Sequence, residues 1–171
     1  MIQVKHSPGM EPKSSKIIID AKSLTRIYAL GDSEVIGINT IDLSIAAGEL
    51  VVLKGDSGSG KSTLLSLLAG LDRPTRGELT VAGHDLTRAT PANLTHFRRE
   101  VVGMVFQAFN LMPTLNVLEN ISLPGLLAGK KTTAVRSKAI ELLDWLGLSR
   151  RRGHLPAQLS GGEMQRTAIA R

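Results

Sequence analysis

Nine consecutive residues constrain this chain more than any others: Gly55, Asp56, Ser57, Gly58, Ser59, Gly60, Lys61, Ser62 and Thr63, a glycine-rich run closed by a lysine and two hydroxyls. Glycine lets a backbone wrap closely around a ligand because it tolerates conformations that a side chain forbids. Val51, Val52 and Leu53 lead in as a short β-prone run, while Leu64, Leu65, Leu67 and Leu68 lead out at helical spacing. The order is therefore strand, loop, helix. At such a junction the first N–H groups of the helix point at whatever anion the loop encloses. Lys61 is placed to reach β- and γ-phosphates, and the Ser62 hydroxyl to enter a Mg²⁺ shell. A plain glycine-rich turn would join the strand to the helix equally well but gives no reason for Lys61.

Length and composition restrict what can surround this loop. With 171 residues, 42% of them hydrophobic, the chain has room for one domain with a real core, and 3% aromatic content makes that core aliphatic. There are no cysteines, which excludes disulfides, thiolate metal sites and a cysteine nucleophile. The net charge of +6 raises nucleic acid or an anionic membrane surface as a partner. Its distribution argues against that: Arg98–Arg99, Lys130–Lys131 and Arg150–Arg151–Arg152 are separate clusters without interleaved aromatics, which read as solvated surface. No apolar run approaches the ~18 residues of a membrane span. Residues 1–15 lack the apolar stretch of a secretion signal and read as a flexible leader, so a cytoplasmic location is expected.

Strands are expected over 17–20, 24–30 and 35–45, then over 77–82 and 101–106. Thr90 and Pro91 open a short helix that reaches about residue 100. Strands first and βα alternation later suggest an antiparallel layer beside a parallel sheet. Tyr28, the only tyrosine, falls near a strand end, where it can stack on a purine or simply fill space. Gln107 follows the 101–106 run, at the carboxyl end of a strand where ligands of parallel sheets collect. Its amide can offer oxygen to Mg²⁺ and NH₂ to a water, or be an ordinary surface group. Leu115, Leu118 and Ile121 share helical spacing, and a clearer helix runs over 132–146 with Gly147 as its stop. These helices read as a subdomain inserted between strands, over about 110–165. Ser160 and Glu163 then make a capping box, which leaves Gly161 and Gly162 unexplained at roughly 1 kcal/mol each against alanine in a helix. Two bare N–H groups beside a hydroxyl form a second anion site.

With both anion sites in view, residues 17–171 resemble the nucleotide-binding subunit of ATP-binding-cassette (ABC) transporters. Residues 55–63 are similar to the Walker A motif, Gln107 to the Q-loop glutamine, and residues 159–163, Leu-Ser-Gly-Gly-Glu, to the family signature. The runs 106–113 and 117–120 resemble the bacterial macrolide-exporter, lipoprotein-releasing and cell-division subgroup. The resemblance implies a P-loop fold with a mixed sheet, an antiparallel β layer and an inserted helical subdomain. It also implies Mg²⁺ and ATP as ligands, with Tyr28 under the adenine and residues 55–63 on the phosphates. Ser62 and Gln107 would then face the metal, and Lys61, Gln107, Ser160 and Gly162 would serve catalysis. Further implications are head-to-tail pairing of two such subunits, with Ser160, Gly161 and Gly162 meeting the other copy's ATP, and a membrane permease at the inner face of the membrane, with no nucleic acid. The family's Walker B aspartate, catalytic glutamate and switch histidine follow the signature, and residues 164–171 contain none of them. The expectation is an ATP hydrolase for the full family protein, with the 171 residues alone weakly active or inactive; the alternative is a non-catalytic or regulatory nucleotide-binding fragment.

Overall fold

The computed structural model describes residues 2–6 and 16–171, which form two compact units divided at Gly103 and Met104. In the first unit, β1 (Gln3–His6) pairs antiparallel with β4 (Val51–Lys54), from Gln3 opposite Lys54 to His6 opposite Val51. Part of the expected leader is thus a strand; residues 7–15 lie outside the described residues. The second sheet has the order β3-β2-β5-β6, with β2 (Ile17–Leu30), β3 (Ser33–Ala46), β5 (Arg76–Val81) and β6 (His84–Asp85). The two strands expected over 17–20 and 24–30 are one: a register shift between Ala21 and Leu24, with Ser23 at φ 49°, carries β2 across residues that lack strand patterning.

Helix α1 (Lys61–Leu68) buries Leu64 and Leu67 and ends where Gly70, at φ 63°, lets the Leu71 N–H return to the Ser66 carbonyl at 2.9 Å. Helix α2 (Pro91–Glu100) starts as expected, with Thr90 Oγ1 accepting from the Asn93 N–H and Pro91 at the first position. Leu64, Leu67, Leu24, Leu79, Leu86 and Phe97 meet in the unit's core, in which Phe97 is the one aromatic among the buried residues.

Every strand pairing among the described residues is antiparallel, so the expected parallel layer is not formed within them. The 101–106 run keeps a strand-like alternation, with Val102 and Met104 half-buried and their neighbours exposed, but it joins no ladder. A strand needs a partner for its N–H and C=O groups, and β4 takes its described partner from β1 instead.

The second unit is helical. Helix α3 (Val117–Leu127) has a reciprocal cap, in which Asn116 accepts from the Glu119 N–H and the Glu119 carboxylate from that of Asn116. It continues through Pro124, which sequence reasoning places as a bracket to the segment. Helix α4 (Thr132–Trp145) ends at Gly147, φ 67°, where the Leu148 N–H returns to Leu143 at 2.8 Å. Helix α5 (Gly161–Ala170) follows two 3₁₀ turns, Ser149–Arg151 and Pro156–Gln158. Val117, Ile121, Ala139, Leu143, Leu148 and Leu159 are the buried centre of this unit. No helix among the described residues is long and apolar enough to cross a membrane.

Candidate functional site

Between β4 and α1 the backbone takes positive φ at Gly55 (152°), Gly58 (78°) and Gly60 (93°). Gly60 is obligatory. A Cβ there would lie 2.2 Å from the Gly37 carbonyl oxygen and 2.7 Å from Ile38 Cγ2, driving the loop off β3. The Ser59 N–H donates to the Asp56 carbonyl and closes the turn, and no side chain caps α1, which leaves its first N–H groups to a ligand. Lys61 Nζ donates to the Gly55 and Asp56 carbonyls, each at 2.7 Å, and to Ser59 Oγ at 3.2 Å. Its cation is thereby held over the loop. A cavity of about 440 Å³ runs along this surface, walled by Ser57, Gly58, Gly60, Lys61, Ser62 and Thr63 and, from β2, by Tyr28.

Tyr28 is fixed from several sides. Its hydroxyl donates to Asp72 Oδ2 at 2.9 Å, and the Arg26 guanidinium lies 4.4 Å from its ring centroid while Arg26 Nε donates to the same oxygen at 2.8 Å. The Arg73 N–H occupies Asp72 Oδ1 at 2.7 Å. Partial burial pushes the Asp72 carboxyl up, but the Arg73 N–H, Arg26 and the Tyr28 hydroxyl together bring it below its ordinary value. Arg26 is correspondingly raised: burial lowers it, and its bonds to Asp72 and Tyr28 outweigh that. Neither Arg26 nor Asp72 belongs to a sequence motif read above; Arg26 and Tyr28 stand two apart on β2, the spacing of one strand face, but no spacing pattern links them to residue 72.

In the second unit, Ser160 N-caps α5 through the expected box. Glu163 Oε2 accepts from the Ser160 N–H at 2.8 Å and from the Ser160 hydroxyl at 2.9 Å. Arg151 Nε donates to Glu163 Oε1 at 2.8 Å. The Ser160 backbone N–H first, then Arg151 and the Ser160 hydroxyl, hold the Glu163 carboxyl down at about 2. The chain's own packing does not demand Gly161 or Gly162. Neither has positive φ, a Cβ on Gly161 would meet nothing within 4 Å, and one on Gly162 would make ordinary contact with Arg166.

Gln107 is exposed in a turn closed by the Phe109 N–H on the Phe106 carbonyl at 3.0 Å. The expectation that it ends a paired strand is therefore corrected, for the reason already given for 101–106. Phe109 and Asn110 follow with positive φ, and the Arg171 guanidinium donates to the Asn110 carbonyl, tying this turn to the end of α5.

The site residues thus fall into two sets, one on each unit. The sequence profile described as "ABC transporter" matches residues 38–171, which span the phosphate loop, Gln107 and the signature. The chain belongs to the ABC transporter family. It is 41% identical over 171 residues to the lipoprotein-releasing system ATP-binding protein LolD of Xanthomonas axonopodis pv. citri, covering all of this chain and 70% of LolD. It is 45% identical over 154 residues to the macrolide export ATP-binding/permease protein MacB of Hyphomonas neptunium, covering 90% of this chain and 24% of MacB. The chain therefore spans about a quarter of the length of one relative and somewhat over two thirds of the other. Among solved structures it resembles the dimeric ATP-binding cassette MJ0796 bound to ADP and Pi, with TM-score 0.79 and 36% identity, covering 89% of this chain and 67% of that one.

The fold is accordingly that of an ABC ATP-binding cassette. Another cavity, about 520 Å³ and lined by His84, Asp85, Arg88 and His96, lies away from the loop; the exposed His84 ring meets Phe97 edge-to-face with centroids 5.6 Å apart.

Proposed function

We propose that this chain binds Mg²⁺-ATP and hydrolyses it as part of a head-to-tail dimer, peripheral on the cytoplasmic face of a membrane and coupled to a permease that exports or releases a substrate. The observation that carries the reading is the single cavity shared by Lys61, Ser62, Thr63, the loop glycines and Tyr28, with an aromatic ring at one wall and a phosphate cradle at the other. In this reading residues 55–63 bind the triphosphate, and Tyr28 stacks on the base. Lys61 exchanges its carbonyl acceptors for β- and γ-phosphate oxygens.

The donor set suits magnesium. Ser62 is an exposed hydroxyl on the cavity and Gln107 an exposed amide, both hard oxygen donors. Among the described residues no three His, Asp or Glu side chains cluster as a metal cage, and Mg²⁺ is commonly held by few protein ligands plus phosphate oxygens and waters. Bound there, the ion would neutralise charge on the transferred phosphoryl group. Ser160 and Gly162 of a second copy would donate to the γ-phosphate from the opposite side. Glycine that the chain's own packing leaves free to be larger supports this reading, because close approach by another molecule supplies a reason for it. The names of LolD and MacB, an ATP-binding protein of a releasing system and an export ATP-binding/permease protein, support the coupling to export or release.

Titration of a fluorescent ATP analogue into the parent chain and Lys61→Ala tests the reading. Loss of charge-assisted bonds worth about 1.5–3 kcal/mol predicts weakening by at least ~10-fold; equal affinity removes the phosphate-loop assignment. Comparing the ATPase rate of these 171 residues with that of a protein extended to the length of LolD measures what the rest of the cassette contributes.

A further inference from the structure

We infer that Asp72 and Arg26 are positioning residues that hold Tyr28 as a platform for the base of the bound nucleotide. The inference deepens the nucleotide reading above and rests on it.

Asp72 lies just beyond α1, the helix that begins at the phosphate loop, so one short element carries the phosphate cradle at its start and the tyrosine's anchor past its end. Both carboxylate oxygens are committed, Oδ1 to the Arg73 N–H and Oδ2 to Arg26 Nε and the Tyr28 hydroxyl. The carboxylate therefore cannot swing without breaking several bonds. The side chains of Arg26 and Asp72 are 25% and 23% exposed, so solvent screens their pair less than a surface pair. The guanidinium covers one face of the ring at 4.4 Å, so a base would stack on the other. The ring is closely packed at Cε2 as well: a Cβ on Gly37 would come 2.7 Å from Tyr28 Cε2 and 3.0 Å from Thr63 Cγ2. Tyr28 is thus held at its hydroxyl and one face, with β3 close against Cε2. Sheet, helix exit and phosphate loop together set its distance from the triphosphate. A ring that merely filled space would not need both its hydroxyl and one face restrained next to a phosphate cradle.

The test separates base from phosphate by measuring dissociation constants of the full chain for Mg²⁺-ATP and for inorganic tripolyphosphate. Asp72→Asn keeps the shape and removes the charge; Arg26→Met removes the guanidinium. Each is expected to weaken ATP binding about five- to tenfold, a part of what base stacking supplies, while tripolyphosphate binding stays within about twofold. Arg26→Lys, which can still bond Asp72, falls between. Because Tyr28 is the only tyrosine, the tyrosine doublet in the Raman spectrum reports its hydroxyl alone, and it should change from the pattern of a strong donor in Asp72→Asn. If Asp72→Asn is poorly folded, Arg26→Met decides. Parallel losses for both ligands, or no loss for either, overturn the positioning role. An unchanged ATP-to-tripolyphosphate ratio in Tyr28→Ala removes the base platform while leaving the phosphate loop standing. Tripolyphosphate binding unaffected by Lys61→Ala is the distinct result that removes the nucleotide reading itself.

Discussion

Glu163 is the residue at which the cap of α5 and the proposed anion site meet. Its carboxylate closes the cap of α5 and, through the Ser160 hydroxyl, also orients the group that would face a phosphate. The acidic side chain at this position carries a negative charge towards the proposed anion site, and Arg151 at 2.8 Å offsets it. With the carboxyl at about 2 against an ordinary 4.5, the folded state binds the proton more weakly than the unfolded chain. The sign follows: the associated stability is fully present above pH 4.5 and is lost as pH falls from there through about 2. Arg151→Met should move the Glu163 midpoint part of the way back towards 4.5, since the Ser160 N–H remains, and a carboxyl-carbon NMR titration reads this directly. An unchanged midpoint would mean that Arg151 is a spectator. The capping box was legible in the sequence from the Ser160–Glu163 spacing, whereas Arg151 was not, because its distance from Glu163 is set by the 3₁₀ turn that it ends and by the second one that follows.

At the scale of elements, α3 depends on a polar residue inside an apolar unit. Asn120 is fully buried; its Oδ1 accepts from the Met112 N–H at 2.8 Å, and its Nδ2 donates to the carbonyls of Met112, Leu115 and Asn116. One side chain thus satisfies the backbone that leads from the Gln107 turn into the helix. Replacing it with alanine removes the amide partner of the Met112 N–H and the Leu115 carbonyl, while the Met112 and Asn116 carbonyls keep the backbone N–H groups of Leu115 and Asn120; each lost bond costs about 1–3 kcal/mol. Asn120→Ala is expected to lower stability by at least ~2 kcal/mol in urea denaturation and to speed hydrogen exchange at the Met112 amide; a change below ~0.5 kcal/mol would show that water replaces the amide. Pattern reading found the apolar stripe of this helix but took Pro124 as its boundary. In the structure Pro124 lies inside α3, eight residues into it. The stripe and the Asn116–Glu119 cap outweigh one proline there, even though proline removes a backbone donor.

For the molecule as a whole, the phosphate loop belongs to one unit and the signature to the other, each with its own buried centre. Leu143 is 1% exposed within the helical unit, and Leu143→Ala should cost about 2–5 kcal/mol there. Tripolyphosphate affinity, which the proposal places on the first unit, should hardly move; a matching loss of affinity would show that the two units act as one cooperative body. Sequence alone determined the parts whose physics is local. Positive-φ glycines, a lysine at fixed spacing, helix caps and glycine stops lie within a few residues of the groups they serve, so residues 55–63, Ser160 with Glu163, and Gly147 could all be read in place. Tertiary structure decided what depends on partners far along the chain. It gave β4 to residues 3–6, left 101–106 without a ladder and put Gln107 in a turn. It also carried Asp72 across 44 residues to the Tyr28 hydroxyl. Strand pairing and side-chain anchoring of this kind are chosen by competition among distant segments, and no local spacing encodes which segment wins.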